Sequence, residues 1–141
     1  MTDDVKQAAL DRMRGDATLL GLLTGGIYGG ANITPQMPEP APFDEFGRMR
    51  PSALVRHEVS ATTGPGRRFT RQFLVVFFYD SAGYETIRAA MERTQTLLHE
   101  YRVGGGAFQL WHVDTVDDQY DDALVAYMHR ARFEAMRRLG G

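Results

Sequence analysis

At 141 residues, with 43% hydrophobic and 24% charged content, the chain has the size and composition of a single globular domain with one real core, and not of a disordered segment. A formal charge of −2 argues against a generic nucleic-acid binder, because displacing phosphate counterions takes a basic surface. The absence of cysteine removes disulfides, thiol catalysis, iron–sulfur ligation and thiolate zinc sites.

Chain order begins with "MTDDVKQAALDRMRGD", which lacks the basic start and continuous apolar block of a secretory signal. Thr2 is placed to cap a first helix, Asp3 and Asp4 suit its dipole, and Val5, Ala9 and Met13 form a narrow apolar stripe. Asp16 can cap a second helical piece, "ATLLGLL", which "TGGIYGG" ends. From Gly25 to Pro51 the chain reads as a long, mostly irregular loop or arm holding five of the six prolines. Proline at that density permits no regular helix, and a loop of this length is commonly a binding segment. Its Phe43, Phe46 and Met49 call for cover, from the protein's own core or from a partner.

Residues 52–62, "SALVRHEVSAT", alternate as a strand, with Ala53, Val55, His57, Val59 and Ala61 on one face and Arg56, Glu58 and Ser60 on the other. "TGPGRR" then turns the chain. The following strand, "RRFTRQFLVVFFYD", places Phe69, Arg71, Phe73, Val75, Phe77 and Tyr79 on one face and Leu74, Val76 and Phe78 on the other. From about residue 73 both faces are apolar, the composition of a strand that aggregates when left open. Its seven-residue run is the longest apolar one in the chain, against about 20 for a bilayer span, so no membrane association is expected.

Asp80 or Ser81 is expected to cap a helix over "AGYETIRAAMERTQTLLHEYR", whose Ile87, Ala90, Met91, Thr94, Leu97, Leu98 and Tyr101 make the clearest amphipathic pattern in the chain. After a glycine break, "FQLWHVDTV" reads as a strand with Gln109, Trp111, Val113 and Thr115 opposite Phe108, Leu110, His112 and Asp114, followed by an acidic turn, "DDQYDD". The last stretch, "ALVAYMHRARFEAMRRL", divides evenly. Its Ala, Leu, Met and Glu favour helix, while Val125, Tyr127, His129, Ala131 and Phe133 alternate as in a strand. The expected architecture is a single α+β domain over 1–141: a mostly antiparallel four-stranded sheet, with an N-terminal helix and one long amphipathic helix packed on one face.

Chemistry-bearing constellations are sparse. The four histidines are dispersed without an i, i+4 pair. His112 and Asp114 share a strand face in this pattern, for which a structural or exposed role is favoured. Asp114, Asp117, Asp118, Asp121 and Asp122 lack calcium-loop spacing, and "GGIYGG" and "VGGGA" match neither a phosphate loop nor a dinucleotide fingerprint. No catalytic, cofactor or metal site is expected. Fifteen of the 16 basic residues are arginine, a bias that a GC-rich genome explains ahead of interface chemistry. Arg48 and Arg50 end the long loop, Arg67 and Arg68 lie in the turn between strands, and Arg130, Arg132, Arg137 and Arg138 crowd the C-terminus. With Arg71, Phe43 and Phe46, the first four are the candidate subunit or partner interface.

Four stretches, "ALDRMRGDATLLGLLTGGIYGG", "RPSALVRHEVSAT", "RRFTRQFLVVFFYDSAGYETIRAAMERTQTLL" and "FQLWHVDTVDDQYDDALVAYMHRARFEAMRR", follow one another in an order that resembles the tail-terminator, or tail-completion, family of minor tail proteins of long-tailed bacteriophages. The departure is the insertion around "PEPAPFDEFGRMR". The resemblance covers nearly the whole chain as an ordered pattern and shifts the last segment toward strand. It implies a non-enzymatic virion protein, assembled in the host cytoplasm, that forms a six-fold ring on the end of the tail tube, stops polymerisation and offers the head-joining surface. Its implied partners are further copies of itself in a hexamer, the tail tube protein and the head–tail connector proteins, with DNA passing through the ring without sequence-specific binding. The alternatives are a head-to-tail connector in the neck of the same particle, or a small α+β enzyme or ligand-binding domain using His112, Asp114 or His57 in a pocket.

Overall fold

A computed structural model of the chain describes residues 5–30, 33, 41–63, 69–103 and 108–138, with side chains for all of these except 59–63, 69–71 and 136–138. Three helices, α1 (Val5–Arg14), α2 (Ala17–Leu22) and α3 (Glu85–Leu98), lie on one face of a sheet built from β1 (Ile27–Gly29), β2 (Ser52–Thr63), β3 (Phe69–Asp80), β4 (Arg102–Val103), β5 (Phe108–Asp121) and β6 (Ala126–Arg138). The strands run in the order β1-β2-β3-β6-β5-β4. All neighbours are antiparallel except β1 and β2, which are parallel.

The four-stranded expectation is therefore corrected to a curled, mixed, six-stranded sheet. The two added strands are three and two residues long, too short to leave an alternation in sequence. Short edge strands also suit a sheet rim, where a long unpaired ladder invites aggregation. The β1 rim is closed further: Arg14 at the end of α1 donates from Nε and Nη2 to the Ile27 carbonyl at 3.0 and 2.7 Å. Gly29 lets α1 approach, since a Cβ there would stand 2.7 Å from Leu10 Cδ1.

The last segment is strand, not helix. β6 lies between β3 and β5 and pairs with both along most of its length, so tertiary pairing overrides the helix propensity of its Ala, Met and Glu. Its alternation divides the chemistry: His129, Ala131, Phe133 and Ala135 are buried, while Arg130, Arg132 and Glu134 point the other way.

Two further boundaries differ from expectation. The long helix starts at Glu85, with Tyr84 as an N-cap that makes no side-chain capping bond. Asp80 instead receives the Ala82 N–H in the turn before it. The same helix ends at Leu98, and Glu100 at φ 65° reverses the chain into β4. β5 runs on through the acidic stretch to Asp121 by way of two irregularities, between His112 and Asp114 and between Val116 and Gln119. One extra residue at a bulge exchanges the faces of all that follows. Asp114 thus pairs with Arg132, on the face opposite His112, and the shared face predicted for His112 and Asp114 does not exist.

Both faces of β3 are covered differently. Leu74, Val76 and Phe78 are fully buried in the main core with Val5, Ala9 and Met13 of α1 and Ile87, Ala90 and Leu98 of α3. On the opposite face a second cluster gathers Tyr28, Ile33, Met49, Leu54, Tyr79 and Ala126, with Phe43, Phe77, Leu124 and Met128 against it. Tyr28, Ile33, Phe43 and Met49 of the long loop thus dock on the protein's own core. The described part of the loop is more ordered than expected, with a bridge between Phe43 and Met49 and Ser81 donating to the Met49 carbonyl from N at 3.1 Å and Oγ at 2.7 Å.

Candidate subunit interface on the open face of the sheet

The described residues of the loop cover the end of the second face nearest Tyr79. Beyond it, β2, β3, β6 and β5 present Arg56, Glu58, Phe73, Phe77, Arg130, Arg132 and Asp114 in adjacent rungs: Arg56 opposite Val75, Phe77 opposite Arg130, Val75 opposite Arg132, and Arg132 opposite Asp114. Alternation dictates this surface. Along these rungs β2, β6 and β5 send arginines and acids outward, while β3 is apolar on both sides.

Guanidinium groups roof the aromatic rings. Arg56 lies 5.5 Å from the Phe77 ring centre and Arg132 lies 5.3 Å from that of Phe73, distances at which a cation is drawn to the ring face. Arg132 also spans strands, donating to Glu58 Oε1 at 3.2 Å and to Asp114 Oδ2 at 2.9 Å. The Glu58 hydrogen bond, followed by the Asp114 charge, raises its already high pKa further and keeps the guanidinium charged. Arg56 and Arg130 make no ion pair among the described residues. The inner atoms Arg130 Nε, Arg132 Nε and Asp114 Oδ1 are buried without a hydrogen-bond partner among the described residues. The floor of this face is a shallow cavity of about 70 Å³ lined by Arg56, His57, Glu58, Val75 and Phe77. Arg and aromatic side chains around a desolvated centre are the composition of interface hot spots.

The residues named from sequence are brought together only in part. Phe43 is half-buried against the second cluster. Phe46 is 72% exposed at the tip of a small turn that Asp44 organises by accepting the Phe46 and Arg48 N–H groups at 2.9 Å each. Arg48 pairs with Asp44 at 3.3 Å and lies 5.1 Å from the Phe46 ring centre. Arg50 donates to the Ala41 carbonyl and stays with the loop. Arg71 occupies the rung between Ala61 and Met136. Arg67 and Arg68 lie outside the described residues. The sequence reading missed Arg56, Arg130 and Arg132 as a group, although Arg56 and Glu58 share one face of their strand and "HRARFE" repeats the alternation; what was missing was the register that sets them beside Phe73 and Phe77.

Among the described residues no one pocket gathers the polar groups named from sequence: His57 lines the cavity of the open face, while His112 lines a separate cavity of about 340 Å³ with Gln95, Thr96 and His99. His57 and His112 stand on one rung, through Leu74 and Phe133, so three strand spacings, roughly 14 Å, separate them. Among the described residues no group of three or more His, Asp or Glu is placed to hold a metal ion, and no helix is long and apolar enough to cross a membrane.

No family model and no curated protein matches the chain. Among solved structures it is similar to a chain in the virion of a native gene transfer agent particle, with a TM-score of 0.68 and 18% identity, over 97% of this chain and 95% of that one. At that identity the likeness is one of fold.

Proposed function

We propose that the chain is a structural subunit of a phage-like particle, acting as a tail terminator: a ring at the end of the tail tube that stops polymerisation and presents the head-joining surface. The observation that carries the reading is the end-to-end likeness in fold to a chain of a gene transfer agent virion. The open arginine–aromatic face adds to it, because a protein that works by geometry needs surfaces for neighbours. A ring built by head-to-tail contacts closes on itself and leaves no sticky end.

The test is omission of this chain from particle assembly, with tails measured by electron microscopy. Tubes of uncontrolled length without heads, cured by adding the purified protein, are the expected result. Tubes of normal length that merely lack heads would move the protein to the neck as a connector. Normal infectious or DNA-transferring particles would overturn both roles.

A further inference from the structure

The open face has a chemical complement on the same molecule. At the other end of the sheet, β5 and β6 are joined by residues 122–125, where Asp122 is exposed and Asp121 is occupied in accepting the Leu124 N–H at 2.9 Å. Tyr120 and Val125 flank this turn at 47% and 64% exposure. Val125 holds φ at 52°, a conformation that costs a β-branched residue energy and that the fold must impose. Asp117 and Asp118 add acid beside it, with Arg88 on Asp118 as the nearby base. The turn thus presents the exposed Asp122 carboxylate together with two exposed apolar side chains. The open face offers the reverse: the Arg56 and Arg130 cations, without ion-pair partners among the described residues, over Val75 and Phe77.

The two cannot meet within one molecule. Arg130 is four residues along β6 from Ala126, roughly 13 Å at strand rise, and the loop residues Phe43 and Met49 occupy the face between. Building on the ring reading above, we propose that the β5–β6 turn of one copy seats on the open face of the next copy, with Asp122 directed to Arg56 and Arg130 and with Tyr120 and Val125 against the Phe77 side. The contact uses different patches on its two partners, so it is heterologous and propagates head to tail until it closes. Charge complementarity selects the register, and the apolar contacts slow dissociation.

The experiment is a charge exchange between the patches. Arg56 and Asp122 are both exposed, so Asp122→Arg should melt as the native chain does and Arg56→Glu only slightly below it, through loss of the contact with the Phe77 ring. Native mass across a wide concentration range should show each single reversal weakening self-association about tenfold or more. The double variant Arg56→Glu/Asp122→Arg should regain it. Single reversals without effect, or a double variant no better than either, would overturn the contact while leaving the particle role intact, provided the native chain still enters particles. Weakening by Arg56→Glu without any by Asp122→Arg would mean that the open face takes a different segment of the neighbouring copy, and would overturn the β5–β6 turn as its occupant. A native chain that neither associates nor enters particles would remove the ring reading together with the contact.

Discussion

Asp16 shows how one side chain can carry two tasks. It caps α2 by accepting the Leu19 N–H at 2.9 Å, and it takes both Arg93 Nε and Nη2, at 2.9 and 2.7 Å, tying α2 to α3. The Arg93 hydrogen bonds, helped by the capping N–H, hold its pKa at about 2 instead of 3.8. A carboxylate with a depressed folded pKa adds stability that is full above its unfolded pKa and is lost as pH falls through the folded one. Thermal melts should therefore show Asp16→Asn less stable than the native chain at pH 5. The gap should narrow between pH 4 and pH 2, and a gap that stays constant over that window would remove Asp16 as its source. The cap was legible from the motif of an Asp before "ATLLGLL". The arginine 77 residues away was not, because only the packing of α2 on α3 brings it near.

At the scale of elements, β5 depends on a buried imidazole. His129 is fully buried, and its Nδ1 accepts the N–H of Asp118 at 3.1 Å, where the strand bulges at φ 54°. Tyr84 O–H donates to the Gln119 carbonyl at 3.0 Å and Arg88 binds Asp118 at 3.0 Å, so α3 holds the bulge from the other side. Burial lowers the His129 pKa, with Arg88 acting in the same direction and Asp117 and Asp118 opposing. A histidine kept neutral in the fold costs stability as pH falls below its unfolded value of 6.5, because the unfolded chain then binds a proton that the folded chain refuses. His129→Ala should destabilise by about 2–4 kcal/mol, through a cavity and an orphaned N–H, and should flatten the loss of stability between pH 6.5 and pH 5. A variant that keeps the native slope would assign that slope elsewhere. Sequence marked His129 as one member of an alternating set and left strand and helix level. The bulges of β5 had no signature at all, since an extra residue in a ladder is visible only against its partner strand.

For the whole molecule, the apolar run Phe73–Tyr79 set the problem: a strand with two faces to hide. That both faces needed cover was legible; what covered them was not, because the answer lies in elements distant in sequence. The helices hide Leu74, Val76 and Phe78, the proline-rich loop hides Tyr79, and arginines shade Phe73 and Phe77. Burial beneath the loop is deep enough to push the Tyr79 phenol up to about 12, with the Asp121 charge adding to it. This division separates folding from assembly within two adjacent residues. Phe78→Ala empties the main core and should cost about 3–5 kcal/mol in a denaturant titration. Phe77→Ala removes a half-buried ring and should cost about 1–2 kcal/mol. In self-association the order should invert. At concentrations where both variants are folded, Phe77→Ala should lose oligomer because the floor of the open face is gone, while Phe78→Ala should keep it. Equal oligomer content in the two would place the subunit contact elsewhere on the molecule and leave the open side of β3 as a fold-stabilising surface alone.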